Sequence, residues 1–350
     1  MSQSSRELVR RALRFEHPER LPRQLWTLPW ANIHHPGTVA ELERRYPADI
    51  EICQYFYRPS QRAEGDPYRV GTSTDAWGCV FRNIQPGMIG EVDEPILANM
   101  ADAAAYRPPC EQLPKAGSRE WSEAQDVISR FHAGTDRFVF ANIDTRPWER
   151  YQFLRGTENA LVDVLMPESG MTDLLQKIHG FYLRELEFWC AADVDAIPLA
   201  DDWGTQSNLL INPDLWREHF KPLYREYCEM ARAHGKFVFL HSDGFVTDIY
   251  EDLIEIGIDA VNSQLFCMDM GELARIGKGR ITFWGEIDRQ KVLTSENPED
   301  GRAAVREVAR HLYDPAGGII AQFEFGAGAN PETVMVIFDE WEKVHREATR

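Results

Sequence analysis

The feature that most constrains this chain is an alternation in its second half, where short β-branched and aromatic runs recur between longer amphipathic segments. Arg137 to Ile143, Ala196 to Ala200, Phe237 to His241, Asp259 to Gln264, Arg280 to Gly285 and Gly318 to Glu324 read as six buried strands. Near-continuous apolar runs of this kind belong to parallel sheets covered on both faces. The intervening helices carry their own signals. Asn212-Pro213 and Asn330-Pro331 each set an N-cap before a proline at the first helical position, and Ala233-His234-Gly235 closes the earlier helix with glycine. Pro222 falls inside the helix expected from Pro213 to His234, which predicts a kink.

The first half is less regular. Ser4-Ser5-Arg6-Glu7 offers a capping box for a leading helix to Phe15, and Arg20 to Trp26 and Asp49 to Phe56 supply the first two strands. Two and six make eight. Between Tyr57 and Asp136 the alternation lapses, with a hairpin expected from Thr74 to Ile89 around Asp75-Ala76-Trp77-Gly78. An open doubly wound sheet would show the same alternation, but no run leads into a G-x-G-x-x-G turn or a phosphate-binding loop, and eight strands suit closure. The expected fold is therefore an α/β (β/α)8 barrel spanning residues 1–350 as one domain, with an N-terminal helix and residues 57–136 inserted over the mouth. No internal repeat or low-complexity tract interrupts it.

Charge narrows the partners. The chain has 38 basic and 56 acidic residues, a formal charge of −18, spread along its length. Nucleic acid and anionic membranes need a basic face, so neither is expected. With no signal-peptide pattern and no membrane-length apolar stretch, a cytoplasmic location is expected. The six cysteines, Cys53, Cys79, Cys110, Cys190, Cys228 and Cys267, include no Cys-x-x-Cys pair, so neither a disulfide framework nor a self-contained zinc knuckle is signalled.

In a barrel, side chains at or just beyond the strand ends converge on one mouth. This filter selects Asp144 and Arg146, Asp201, Asp202 and Gln206, His241 and Asp243, Gln264 and Cys267, Glu286 and Asp288, and Glu324. His241-Ser242-Asp243-Gly244 is the sharpest signal: an imidazole and a carboxylate two residues apart can share a divalent cation, while Gly244 lets the backbone turn away. The alternative is that Asp243 caps the next helix and His241 hydrogen-bonds across the mouth. Of Asp201 and Asp202 only one can face inward, because successive side chains alternate; Asp202 is expected there as acid, base or anchor, and a solvated turn remains open. Asp144 and Arg146 read equally as substrate contacts or as an ion pair. Trp26, Trp30, Tyr55, Tyr57, Trp148, Trp203 and Trp284 lie near strand ends and suit an aromatic-lined pocket or simply the core. There is no G-x-S-x-G, protein-kinase or His-Glu-x-x-His motif.

Several segments together resemble one family. They are Arg6 to Phe15 with Pro18 and Arg20-Leu21-Pro22, Asp75-Ala76-Trp77-Gly78-Cys79, Asp202-Trp203-Gly204 and Phe220-Lys221-Pro222. Phe239-Leu240-His241-Ser242-Asp243-Gly244, Asp252 to Gly257 and Phe283-Trp284-Gly285-Glu286-Ile287-Asp288 follow in order. They are similar to the uroporphyrinogen decarboxylase superfamily, which implies a (β/α)8 barrel and includes both decarboxylases and corrinoid-dependent methyltransferases. The decarboxylases resemble one another in an Arg-Gln-Ala-Gly-Arg stretch whose arginines hold substrate carboxylates. Here Arg23-Gln24-Leu25-Trp26-Thr27-Leu28-Pro29-Trp30 lacks the second arginine. Resemblance to the methyltransferases implies zinc held by a His-x-Cys motif and a later cysteine. His241 matches the histidine, Asp243 stands where the first cysteine would be, Glu324 lies near the second position, and Cys267 belongs to the same mouth.

The expected activity is methyl transfer or demethylation of a small methylated substrate onto a corrinoid protein or another carrier. His241, Asp243, Cys267 and Glu324 would hold zinc or another divalent metal. His241, Asp243 and Asp202 would be catalytic, with Trp26, Tyr55, Asp144, Arg146, Gln206, Gln264 and Trp284 on the substrate. The alternative is a cofactor-free decarboxylase of uroporphyrinogen or a related acid using Arg146 and Asp202, and a third reading is a non-catalytic binding barrel. A homodimer is the base-rate expectation.

Overall fold

A computed structural model describes residues 2–349. Among the described residues eleven strands occur: β1 (Arg23–Thr27), β2 (Ile50–Ile52), β3 (Gly71–Thr74), β4 (Val80–Asn83), β5 (Glu91–Val92), β6 (Phe138–Phe140), β7 (Ala196–Ala200), β8 (Phe237–Ser242), β9 (Ala260–Ser263), β10 (Thr282–Trp284) and β11 (Ile319–Phe325). Eight of them form one sheet in the order β1-β11-β10-β9-β8-β7-β6-β2, every neighbour parallel. The seam between β1 and β2 is bridged by the Asp49 N–H, which donates to the Arg23 carbonyl at 2.9 Å. The result is the expected (β/α)8 barrel, nearly closed.

The core explains why one end can hold a site. Inside the barrel, Ile50, Phe138, Phe140, Ala196, Phe239, Ala260, Trp284 and Ile320 pack with Val9 and Leu13 of the leading helix Ser5–Arg14. That helix starts with the Ser4 side chain accepting from the Glu7 N–H at 3.2 Å, and its apolar stripe plugs the amino end of the barrel. Toward the carboxyl ends the interior turns polar, with Gln24, Asn262 and Gln322 all buried. The floor is apolar and the ceiling is not. A second apolar layer, including Trp148, Trp203 and Trp216, lies between the strands and their helices.

Sequence signals set the helix ends. Asn212 caps Pro213–His219 by accepting from the Asp214 N–H at 2.8 Å, and Asn330 caps Pro331–Met335. The kink expected at Pro222 is sharper than a bend: the helix stops at His219 and a second one runs Lys221–Ala233. Pro222 has no N–H to continue the ladder, and Phe220 between the two turns into the core against Trp148 and Trp203.

Between β2 and β6, β3 and β4 pair antiparallel and β5 adds a third strand. The turn is built by Asp75, whose Oδ1 accepts from the N–H of Trp77 at 3.0 Å and of Cys79 at 2.8 Å. This hairpin docks on helix Pro147–Arg155 through an Asp75–Arg150 ion pair, with Arg150 over the Trp77 ring at 4.7 Å. All six cysteines are free, and no described helix is long and apolar enough to cross a membrane.

Candidate functional site

His241 is the penultimate residue of β8, and its neighbour on β9, Asn262, fixes the orientation of its ring. The Asn262 amide nitrogen lies 2.5 Å from the Trp284 carbonyl and 3.0 Å from Gln322 Oε1, so it donates to both. The Asn262 Oδ1 must then face His241 as an acceptor, 2.7 Å from Nδ1. Nδ1 therefore carries a hydrogen, and Nε2 is the nitrogen turned to the mouth, where it can offer a lone pair to a cation. Nε2 lies 3.6 Å from Asp202 Oδ1 and 3.7 Å from Asp243 Oδ1.

Local backbone puts those carboxylates together. The Asp243 N–H donates to Asp202 Oδ1 at 2.9 Å, and the Gly204 N–H donates to the Asp243 carbonyl at 3.0 Å, so the β7 and β8 loops are zipped. Gly244 has φ +79°, and a Cβ there would meet the Gly204 carbonyl oxygen at 2.3 Å. Asp201 turns to the opposite face, where its carboxylate accepts from the Trp148 and Glu149 N–H groups at 2.9 and 2.7 Å and from the Tyr224 hydroxyl. Burial pushes Asp201 up to about 7, the three hydrogen bonds opposing. Asp201 anchors the first turn of the helix Pro147–Arg155, and Asp202 faces the mouth.

Potential ligand atoms of Asp202, His241 and Asp243 all lie within 4.8 Å of one another. Asp243 Oδ1 is buried and has no hydrogen-bond partner. An orphaned carboxylate oxygen beside a free imidazole lone pair and a second carboxylate fits a divalent cation with one nitrogen and oxygen donors. This differs from the ligand set expected from sequence. Asp202 takes a place in it, whereas Cys267 and Glu324 stand outside. The Cys267 sulfur lies 3.5 Å from both Gln206 Oε1 and Gln264 Oε1, and burial together with Asp288, Asp243 and Glu286 pushes its thiol up, keeping the proton on. Glu324 accepts instead from Arg289 Nη1 at 3.0 Å.

Arg289, three residues beyond Glu286 in the loop after β10, is the cation that sequence reasoning missed. It pairs with Asp243 Oδ2 through Nη2, and its Nε lies 3.4 Å from Glu286 Oε1. Glu286 is pushed up to about 8 by burial, with Arg289 opposing and Asp243, Glu324 and Asp288 reinforcing. A cavity of about 290 Å³ opens beside this group, lined by Gln206, Gln264, Cys267, Glu286, Asp288 and Arg289 among others.

The remaining expected residues divide. Trp26 stands edge-on to the His241 ring with centroids 5.3 Å apart, and Trp284 packs beneath it at 5.1 Å with its indole N–H donating to Gln24 Oε1 at 2.9 Å. Trp148 and Trp203 are fully buried and stacked, hence core. Tyr55 packs against Phe188 and Trp189 of the helix Ser169–Cys190, in an aromatic cluster away from the histidine. Asp144 and Arg146 form an ion pair that also faces Glu149, and with Arg150 they line a separate cavity of about 470 Å³ against the hairpin. Asn262 carried a readable signal, a polar residue within an apolar strand, which must find its partners inside.

The sequence profile of the family described as Uroporphyrinogen decarboxylase (URO-D) matches residues 72–344. No curated protein gives a significant sequence match. Among solved structures, a methyltransferase from Methanosarcina mazei is similar over 98% of this chain and 99% of its own, with a TM-score of 0.66 at 15% identity. Likeness to D-psicose 3-epimerase is weaker, TM-score 0.34 at 10% identity over 71% of this chain and 84% of that one. A GH18 chitinase from Flavobacterium johnsoniae gives TM-score 0.37 at 8% identity, covering 93% and 95%. The first shares the fold end to end, and the profile match spans most of the chain. The chain belongs to the uroporphyrinogen decarboxylase (URO-D) family.

Proposed function

We propose that this protein is a metal-assisted methyltransferase or demethylase acting on a small methylated substrate, with a corrinoid protein or another carrier as methyl acceptor. The observation that carries the reading is the convergence of Asp202, His241 and Asp243, with the Nε2 lone pair and Asp243 Oδ1 both unclaimed. Zinc or another divalent ion held by these three would polarise the heteroatom that carries the methyl group. Asn262 orients the imidazole and occupies Nδ1, so that Nε2 is the nitrogen left for a ligand bond, as an outer-shell partner does. Trp26 and Trp284 keep water from one side of the histidine, and Gln206 and Gln264 present amides along the neighbouring cavity. Full-length fold likeness to a methyltransferase supports the same direction.

Decarboxylation of a polyacid fits less well, because the arginines are committed. Arg23 lies at the amino end of β1, paired with Glu342 at 2.8 Å, and Arg146 and Arg289 are held by carboxylates of the protein itself. Substrate carboxylates would meet a mouth crowded with acids. The deciding experiment is the metal content of protein purified without chelator or metal-binding tag, beside His241→Ala. About one ion per chain, lost in the variant, is expected, followed by saturable binding of methylcobalamin. Absence of metal from both proteins overturns the reading, and failure to bind methylcobalamin as well leaves a binding barrel.

A further inference from the structure

We propose that Glu286 is the recognition point for an amino or hydroxyl group of the substrate, in the cavity flanking the His241 cluster. Glu286 is 1% exposed, and both of its carboxylate oxygens are buried without a hydrogen-bond partner. Leaving a carboxyl group buried with no donor is costly, and such groups are otherwise nearly always satisfied. The nearest cation offsets its charge but makes no hydrogen bond to it. Arg289 approaches to 3.4 Å, but its hydrogen bonds go to Asp243 and Glu324.

The cavity of about 290 Å³ on whose wall Glu286 stands is at the small end for ligand sites. Its other polar groups are complementary. Gln264 commits its Oε1 to the Gly244 N–H at 3.2 Å and to the Cys267 thiol at 3.5 Å, so what it can still give a ligand is N–H donors. A molecule that donates at one end and accepts at the other satisfies both. Asp243 and Glu324 share Arg289 with Glu286, and Asp288 lies on the same wall, so carboxyl groups outnumber the one guanidinium here. The local potential is negative, and an ammonium group is favoured over a hydroxyl. Glu286 is thus a binding residue that selects donor-bearing substrates. This rests on reading the mouth as the place of reaction and goes beyond it by naming the recognition chemistry.

Three small ethers test it, 2-methoxyethylamine, 2-methoxyethanol and 1,2-dimethoxyethane, which share a skeleton and differ at one end as ammonium, hydroxyl and methoxy. Ligand-observed NMR titrations would be run on the wild type and on Glu286→Gln, with metal content and thermal unfolding measured on the same samples. The wild type is expected to bind the amine at least tenfold more tightly than 1,2-dimethoxyethane, with the alcohol between them. In Glu286→Gln the preference for the amine should vanish; Glu286→Asp, which keeps the acceptor, should retain part of it if the glutamine variant folds poorly. Equal binding of the three ethers, binding of none, or an unchanged preference in Glu286→Gln overturns the assignment. Preserved selectivity in a protein found to hold no metal supports the Glu286 site while refuting the metal reading.

Discussion

Substituting Asn262 with leucine keeps the branched shape of the side chain and removes three hydrogen bonds at once. The partners left behind are His241 Nδ1–H, the Trp284 carbonyl and Gln322 Oε1, at 2.7, 2.5 and 3.0 Å in the native protein. Asn262 is fully buried, so water does not replace it. Each stranded polar group costs roughly 1–3 kcal/mol, and allowing for relaxation the loss of stability is on the order of 4 kcal/mol. The effect on metal is separate: losing the partner that orients a ligating histidine lowers affinity about 10- to 100-fold. Isothermal titration of zinc and manganese into stripped protein, beside denaturant unfolding, measures both quantities. Asn262→Asp loses the two donors but keeps an acceptor toward Nδ1–H, so it should be destabilised like the leucine variant and yet bind metal within a few-fold of wild type. Wild-type affinity in Asn262→Leu, or equally poor affinity in the aspartate variant, would refute the tautomer argument.

Two further outcomes follow from charge. Glu185 is buried and its carboxyl is pushed up to about 8, burial being the largest cause. Because the folded state favours its proton, this group's contribution to stability is complete below about pH 4.5 and is lost as pH rises through about 8, up to roughly 5 kcal/mol. Glu185→Gln should flatten the stability profile between about pH 5 and 9; an unchanged slope in chemical unfolding would contradict it. Arg289→Met should tighten metal binding about tenfold by removing a competing cation from Asp243, while the metal-free protein loses about 2–3 kcal/mol from three uncompensated carboxylates. Weaker metal binding would mean that Arg289 supports the cluster.

Strands β6 to β11 were legible because a buried parallel strand must be apolar along its whole length; β7 coincides with the expected run and the ends of the others differ by at most three residues. The strand-end rule then found Asp202, His241 and Asp243 together, since barrel geometry fixes where such side chains converge. Cys267 and Glu324, expected as ligands, lie outside that cluster, because position at the mouth does not say which neighbour claims a side chain. Arg289 lies in a loop, where no periodicity fixes direction, and it decides the fate of Glu324. Tyr55 stands apart from the histidine for a related reason: β2 ends at Ile52, so the chain has left the barrel before the tyrosine and packs it against Phe188. Pro222 was read correctly as a disruption, but whether a helix bends or breaks depends on the pocket that receives Phe220.

The seam of the barrel also bears on how the chain is made. β1 shares five register pairs with β11 and meets β2 through a main-chain bond at Asp49, so the first strand of the barrel takes its principal partner from the barrel's last. Trp26 lies opposite Glu324 in that pairing. On the ribosome β1 must wait, unpaired on that edge, until β11 has emerged, and the mouth that frames His241 is completed only at that step.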